Sequence, residues 1–125
     1  MDIEGRGGRA SSTRALISID LDGFKAVNDS QGHAARDAVL KNCVVVWQAQ
    51  LRSDDLLFRV GGDECLVIAT KCSPRMAARI VDRLRGISPA PISVGIAPWP
   101  EGTDFDDSLR EADRRMYADK DRHRP

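Results

Sequence analysis

An α+β sandwich, its sheet covered by helices on at least one side, is the architecture expected of this chain. Three features point to it. Short apolar runs of strand length alternate with segments of helical period. Two of the runs flank the turn "GGDE", a spacing and glycine content that suit an antiparallel hairpin. The resulting order is strand, helices, hairpin, helix, strand, helix.

Residues 15–20 (ALISID) form an isoleucine-containing run that fits a buried strand ending at a carboxylate. In the following LDGFKAVNDSQGH, Gly23 and Gly32 bracket a short turn or helix. From Ala34 the period becomes helical: Val39, Cys43, Trp47 and Leu51 share a face, with Leu40, Val44 and Val46 close by. That pattern predicts a long, mostly buried helix. Residues 56–60 (LLFRV) and 65–70 (CLVIAT) are the two arms of the hairpin. Ser73-Pro74 offers a cap and a first-turn proline to a helix carrying Ala77, Ile80, Val81 and Leu84 on one face. Residues 92–97 (ISVGIA) make another buried strand, and after the loop WPEGTD, Leu109, Ala112 and Met116 define an amphipathic last helix.

Composition narrows the function classes. The chain has 125 residues, 42% hydrophobic and 30% charged, which suits one soluble domain with a real core. Lys+Arg and Asp+Glu are equal at 19 each, so no global field draws it to DNA, RNA or a membrane surface. The longest apolar run, CVVVW, falls far short of the ~18 residues a membrane span needs. Cys43, Cys65 and Cys72 are odd in number and lack CxxC spacing, which argues for a reducing compartment over a disulfide framework or zinc site. The opening MDIEGRGGRASSTR contains IEGR, similar to a protease-cleavage linker, so residues 1–14 are expected to be an expression scar and 15–125 the domain.

Four clusters have chemical potential, each with a plainer alternative. Asp20 and Asp22 point the same way from an extended strand. Two carboxylates there, or one with the Leu21 carbonyl, suit Mg²⁺; the alternative is two solvated aspartates capping the next helix. Gly61 and Gly62, with the freedom to adopt positive φ, precede Asp63 and Glu64 and permit close approach to a ligand; the alternative is a tight hairpin turn. Lys120 and Arg124, four residues apart on a helix, can meet one polyphosphate or simply complement the helix dipole. Arg52 and Asp55 can grip a phosphate or a guanine edge, or form a local loop ion pair.

Taken together and in order, DLDGFKAVNDSQGH, GGDEC, ISVGIA and ADRRMYADK resemble the GGDEF domain of bacterial diguanylate cyclases, over residues 16–124. The resemblance implies a nucleotidyl-cyclase-like palm fold, with a ferredoxin-like βαββαβ core and a central, mostly antiparallel sheet. It implies condensation of two GTP into cyclic di-GMP and pyrophosphate in a homodimer, with Mg²⁺ (or Mn²⁺) as cofactor. By position, Asp20, Asp63 and the Leu21 carbonyl correspond to the metal ligands, and Glu64 to the general base. Asp63, Glu64 and Lys120 form the implied catalytic set. Asn28 and Asp37 correspond to guanine-reading positions, while Phe24, Lys25, Lys120 and Arg124 lie on the triphosphate side above Gly61 and Gly62. Arg52 and Asp55 match an RxxD site at which cyclic di-GMP inhibits. An upstream sensor or regulatory domain and a cytoplasmic location, within a larger and even membrane-anchored protein, are the family's usual context, with no membrane contact by this domain.

The sequence departs from the pattern in places. Cys65 stands where the signature has phenylalanine and is expected to leave space behind the hairpin. Arg36 replaces a glycine before Asp37, where it would crowd the guanine pocket or swing into solvent. No counterpart of the family's opening helix (D-x-L-T-x-L-x-N-R) is present, and the segment before ISVGIA is short. A catalytically weak or inactive GTP- or cyclic di-GMP-binding module is therefore the alternative to an active cyclase. A palm-type transferase of other specificity is a third reading, opposed by Asn28 and Asp37.

Overall fold

The computed structural model describes residues 13–123, with all their side chains except those of residues 24–31 and 33. The elements run β1 (Arg14–Leu21), α1 (Phe24–Gln50), β2 (Leu56–Arg59), β3 (Glu64–Thr70), α2 (Pro74–Ile87), β4 (Ile92–Pro98) and α3 (Phe105–Arg122). The strands form one sheet in the order β2-β3-β1-β4. Every neighbouring pair is antiparallel, so the expected βαββαβ arrangement is present with no parallel pairing among the described strands.

Period-two alternation along β1 gives the sheet two different faces. Ala15, Ile17, Ile19 and Leu21 turn one way, joining Cys65, Val67 and Ala69 of β3 with Ile92 and Val94 of β4. This main core closes against Leu40, Cys43 and Trp47 of α1 and Ala77, Ile80, Val81 and Leu84 of α2. On the opposite face, Leu16, Leu66 and Ala97 pack with Ala112 of α3, flanked by Ile68, Trp99, Phe105 and Leu109. Helices thus cover both faces. Towards the other end of β1 the α3 side becomes polar: Asp20 lies opposite Glu64 on one neighbour and Ser93 on the other. That change from apolar to polar along one face is what creates room for a site.

The sequence overstates the burial of α1. Leu40, Cys43 and Trp47 are inside, yet Val45 within the CVVVW run is 68% exposed, so the helix is amphipathic. Its 27 residues kink at Gly32 (φ 85°, ψ 177°), where the sequence pattern changes. Gly23 precedes it in the left-handed region (φ 68°), a conformation that favours glycine, and makes the sharp turn out of β1. The start of α2 follows expectation: Ser73 accepts a hydrogen bond from the Met76 amide at 3.2 Å, Pro74 opens the first turn, and the four predicted apolar residues are buried.

Gly95 of β4 is required for a different reason. A Cβ there would collide with the main chain of α3 at Ala112 and Met116. Its absence lets α3 lie directly on the sheet.

Candidate active site

The exit of β1, the start of β3 and the last turns of α3 meet at the polar end of the sheet. Asp20 is only 4% exposed, and its Oδ1 is buried with no hydrogen-bond partner. Burial, then the charge of Asp63, push its pKa up to about 6, against the lowering effect of Lys120. The Lys120 ammonium reaches Asp20 Oδ2 at 3.1 Å, the Leu21 carbonyl at 3.1 Å and Asp22 Oδ1 at 3.2 Å. Desolvation opposes the charge on Lys120, but its carboxylate partners outweigh it and hold its pKa above the ordinary value.

Asp22 is fixed from three sides. The Ser93 hydroxyl donates to Oδ1 at 2.5 Å, and His123 Nδ1 lies 2.7 Å from Oδ2. Burial disfavours its charge, yet these contacts and Lys120 together keep its pKa below the usual carboxylate range. Ser93, His123 and Asp22 do not form a nucleophile relay. His123 meets Ser93 Oγ (3.0 Å) and Asp22 through the same ring nitrogen, leaving no second nitrogen to pass a proton between them. A cavity of about 570 Å³ opens beside the cluster, lined by Asp22, Gly23, Arg85, Pro91, Ile92 and His123. Its volume is in the range of small-molecule sites.

The GG turn sits at the neighbouring edge. Neither Gly61 nor Gly62 has a positive φ, contrary to the freedom expected of the pair. Small size is what matters at Gly62: a Cβ would run into the Arg36 guanidinium. Arg36 therefore lies across the turn, neither free in solvent nor simply filling a base pocket. Arg59 holds the turn as well, donating to the Gly62 carbonyl at 3.0 Å and to Asp37 Oδ1 at 3.1 Å. That hydrogen bond, with the charge of Arg59 and against an opposing desolvation, keeps Asp37 below the ordinary aspartate range. Glu64 emerges on the Asp20 side and accepts a hydrogen bond from the Tyr117 hydroxyl at 3.0 Å. Asp63 and Glu64, adjacent in sequence, thus both serve the Asp20 region.

The structure brings together Asp20, the Leu21 carbonyl, Asp63, Glu64 and Lys120. Asp37, Gly61 and Gly62 lie at the adjoining turn. The side chains of Phe24, Lys25 and Asn28, and Arg124 as a whole, are outside the described residues. Arg52 and Asp55 sit at the opposite end of the hairpin, where Asp55 has a side-chain exposure of 0%. Both Asp55 oxygens accept from Arg52, which also donates to the Thr70 and Lys71 carbonyls. As it stands this pair is a closed clamp between loop and hairpin. Cys65 is buried at 2% exposure on the main-core face, away from Glu64, and burial pushes its thiol up to about 11. It removes no group from the site.

Sequence reasoning missed Tyr117, Ser93, His123, Arg59 and Asp119. The buried Asp119 carboxylate takes hydrogen bonds from Arg85 at 2.7 Å, the Val94 amide at 2.9 Å and Arg122 at 2.9 Å, tying α2 and β4 to the last turn of α3. A signal for part of this was present. Asp113, Tyr117 and Lys120 recur at helical spacing beside the apolar stripe Ala112–Met116.

Among the described residues no three His, Cys, Asp or Glu side chains cluster as a self-sufficient metal cage. A Mg²⁺ site nevertheless fits, because that ion is commonly held by one or two carboxylates together with substrate phosphates. The buried, unpartnered Asp20 Oδ1 beside the Leu21 carbonyl is the kind of hard oxygen pair it takes. Among the described residues no helix is long and apolar enough to cross a membrane.

Comparison with known proteins bears on the family and the fold. The family model described as "Diguanylate cyclase, GGDEF domain" matches residues 4–125. The chain is 39% identical over 120 residues to the diguanylate cyclase TpbB of Pseudomonas aeruginosa, covering 85% of this chain and 28% of that protein. It is 40% identical over 118 residues to the cyclic di-GMP phosphodiesterase PdeR of Escherichia coli, covering 85% and 18%. The crystal structure of the TpbB GGDEF domain superposes with a TM-score of 0.78 at 33% identity, covering 94% of this chain and 88% of that one. The chain thus spans less than a third of these curated relatives, and the part it spans is shared: it belongs to the GGDEF, diguanylate cyclase family.

Proposed function

We propose that this domain condenses two GTP molecules into cyclic di-GMP, releasing pyrophosphate at each of two transfers. The observation that carries the reading is the polar end of the sheet. There an unpartnered buried carboxylate oxygen, a main-chain carbonyl and an ammonium converge opposite Glu64. Asp20, Asp63 and the Leu21 carbonyl would hold Mg²⁺ or Mn²⁺. When bound, the ion neutralises charge on the phosphate oxygens and on the attacking and leaving oxygens.

The chain's own residues supply binding and proton transfer. Glu64 accepts the proton of the 3′-hydroxyl of one GTP as that oxygen bonds to the α-phosphorus of the other and the bond to pyrophosphate breaks. Lys120, with Arg124 and Lys25, places positive charge along the triphosphate. Asn28 and Asp37 select guanine, and Phe24 lines the phosphate side. Gly61 and Gly62 keep the turn low beneath the phosphates. Arg36 and Arg59 brace that turn from α1 and β2. Most of the acceleration comes from positioning and electrostatics. Each domain holds one GTP, so the active unit is a homodimer with facing sites, brought together by an upstream sensor or regulatory domain.

A second reading has an observation of its own. Lys120 already lies on Asp20 and the Leu21 carbonyl, the oxygens assigned to the metal. If that ion pair persists with nucleotide, the domain binds GTP or cyclic di-GMP without turnover. Arg52 and Asp55 would serve as the cyclic di-GMP site, for inhibition or sensing, once their mutual ion pair opens.

Incubation with GTP and Mg²⁺, separating products by chromatography, distinguishes the two. Cyclic di-GMP formation supports the cyclase. No product, even when the chain is fused to a dimerising coiled coil, would sink it and leave the binding module. Cyclic di-GMP affinity that survives Arg52→Ala removes the RxxD assignment.

A further inference from the structure

We propose that Tyr117 is a positioning residue for the general base, its hydroxyl holding the Glu64 carboxylate in the orientation that accepts the 3′-hydroxyl proton. The inference rests on the reading of Glu64 as that base. Glu64 is the first residue of β3, directly after the GG turn, and a glutamate there has several rotatable bonds. A base on such a tether is effective only when something fixes it within hydrogen-bond reach of its target.

Tyr117 does this from a rigid mount. Its hydroxyl donates to Glu64 Oε2 at 3.0 Å, leaving Oε1 to accept a proton. Its helix is anchored on both sides of it. One turn earlier Asp113 accepts from the Ser18 hydroxyl at 2.6 Å, and three residues later Lys120 donates to the Leu21 carbonyl at 3.1 Å. Met116 beside it is 1% exposed, and its own main-chain nitrogen belongs to the stretch of helix backbone that Gly95 admits to the sheet. Tyr117 itself is 51% exposed, so its hydroxyl adds little to the core and its placement serves the carboxylate. A single helix therefore sets two distances at once, Lys120 to the metal oxygens and Tyr117 to the base.

The test compares Y117F, E64Q and the double variant with the parent chain, each carrying the same dimerising fusion. Phenylalanine keeps the ring and removes only the donor. We expect kcat to fall about 10- to 100-fold, with KM for GTP and the thermal midpoint unchanged. In the E64Q background the same substitution should have no further effect. Full activity in Y117F with a dead E64Q overturns the role of Tyr117 and leaves the base intact. Full activity in E64Q overturns the base reading, and this inference with it. Additive losses in the double variant show that Tyr117 acts elsewhere.

A second measurement needs no turnover. Tyr117 is the chain's one tyrosine, so tyrosinate absorbance reports it alone. Its hydrogen bond to Glu64, then desolvation, push its pKa up to about 12 from an ordinary 10. The parent should stay un-ionised at about pH 10.5, and E64Q should shift towards ordinary titration. Ordinary titration in the parent would overturn the contact itself.

Discussion

Asp20 carries opposing influences: burial and the neighbouring Asp63 favour its proton, while Lys120 favours its charge. The net result is a pKa raised from 3.8 to about 6. An acid shifted upwards holds its proton in the folded state over a window in which the unfolded chain has already lost it. Between about pH 4 and pH 6 the folded state therefore binds more protons, and stability falls as pH rises through that window. An asparagine side chain in its place cannot titrate. In metal-free buffer the thermal midpoint of Asp20→Asn should gain on that of the parent between about pH 4 and pH 6, with the gap constant above it. A gap independent of pH across the window would contradict the shift. Adding Mg²⁺ at about pH 7 should then raise the parent's midpoint and leave that of Asp20→Asn nearly unmoved, because only an ionised ligand binds it well. The residue was legible in the sequence as a carboxylate at a strand exit. Its burial and its pairing with Lys120, far along the chain, were not, since no local pattern encodes a contact between β1 and α3.

At the level of elements, α3 is the part on which the site depends most, and its seat is a glycine. Gly95→Ala would press a methyl group into the main chain at Ala112 and Met116, atoms that cannot rotate aside. The expected cost is about 3 kcal/mol, read as a fall of about 10 °C in the thermal midpoint. Lys120 and Tyr117 should be displaced with the helix, so the substitution should also lower GTP affinity and return the tyrosine to ordinary titration. Retention of stability and tyrosine pKa would mean that α3 is not held as closely as its contacts indicate. The contrast with α2 explains what periodicity can tell. There Ser73, Pro74 and four apolar residues at helical spacing lay within one window, and cap, start and buried face all match. Gly95 lies within an apolar strand run and Asp119 in a charged stretch near the end of the last helix, and neither neighbourhood marks the distant partner. Both prove central because of partners brought in by the fold. In α1 the error went the other way: the pattern predicted a mostly buried helix, yet Val45 faces out because one side of the helix has the sheet and the other does not.

For the whole molecule, four short motifs in one order pointed to the fold more securely than any single element, and the sheet order β2-β3-β1-β4 brings the end of β1, the hairpin turn and α3 to the same end. That topology brings Asp20, Asp63, Glu64 and Lys120 to one end of each domain. They are a single set of the residues to which the proposed function gives metal, base and phosphate roles, while ring closure under it needs two nucleotides attacked in opposite directions. A two-fold pair with facing sites satisfies this, each domain presenting its GTP to the other's α-phosphorus. The unfused chain should then show a second-order dependence on its own concentration. At concentrations where it is monomeric, doubling the chain should raise the initial rate of cyclic di-GMP formation about fourfold, as pair formation requires. A dimerising coiled coil makes the encounter intramolecular, at an effective concentration of order millimolar. The fused chain should become first order, so that the same doubling raises its rate about twofold. A first-order rate from the unfused chain, measured where light scattering finds only monomer, would exclude the facing-site arrangement. Catalysis would then have to lie within a single domain, at odds with the one set of site residues brought together at the end of β1.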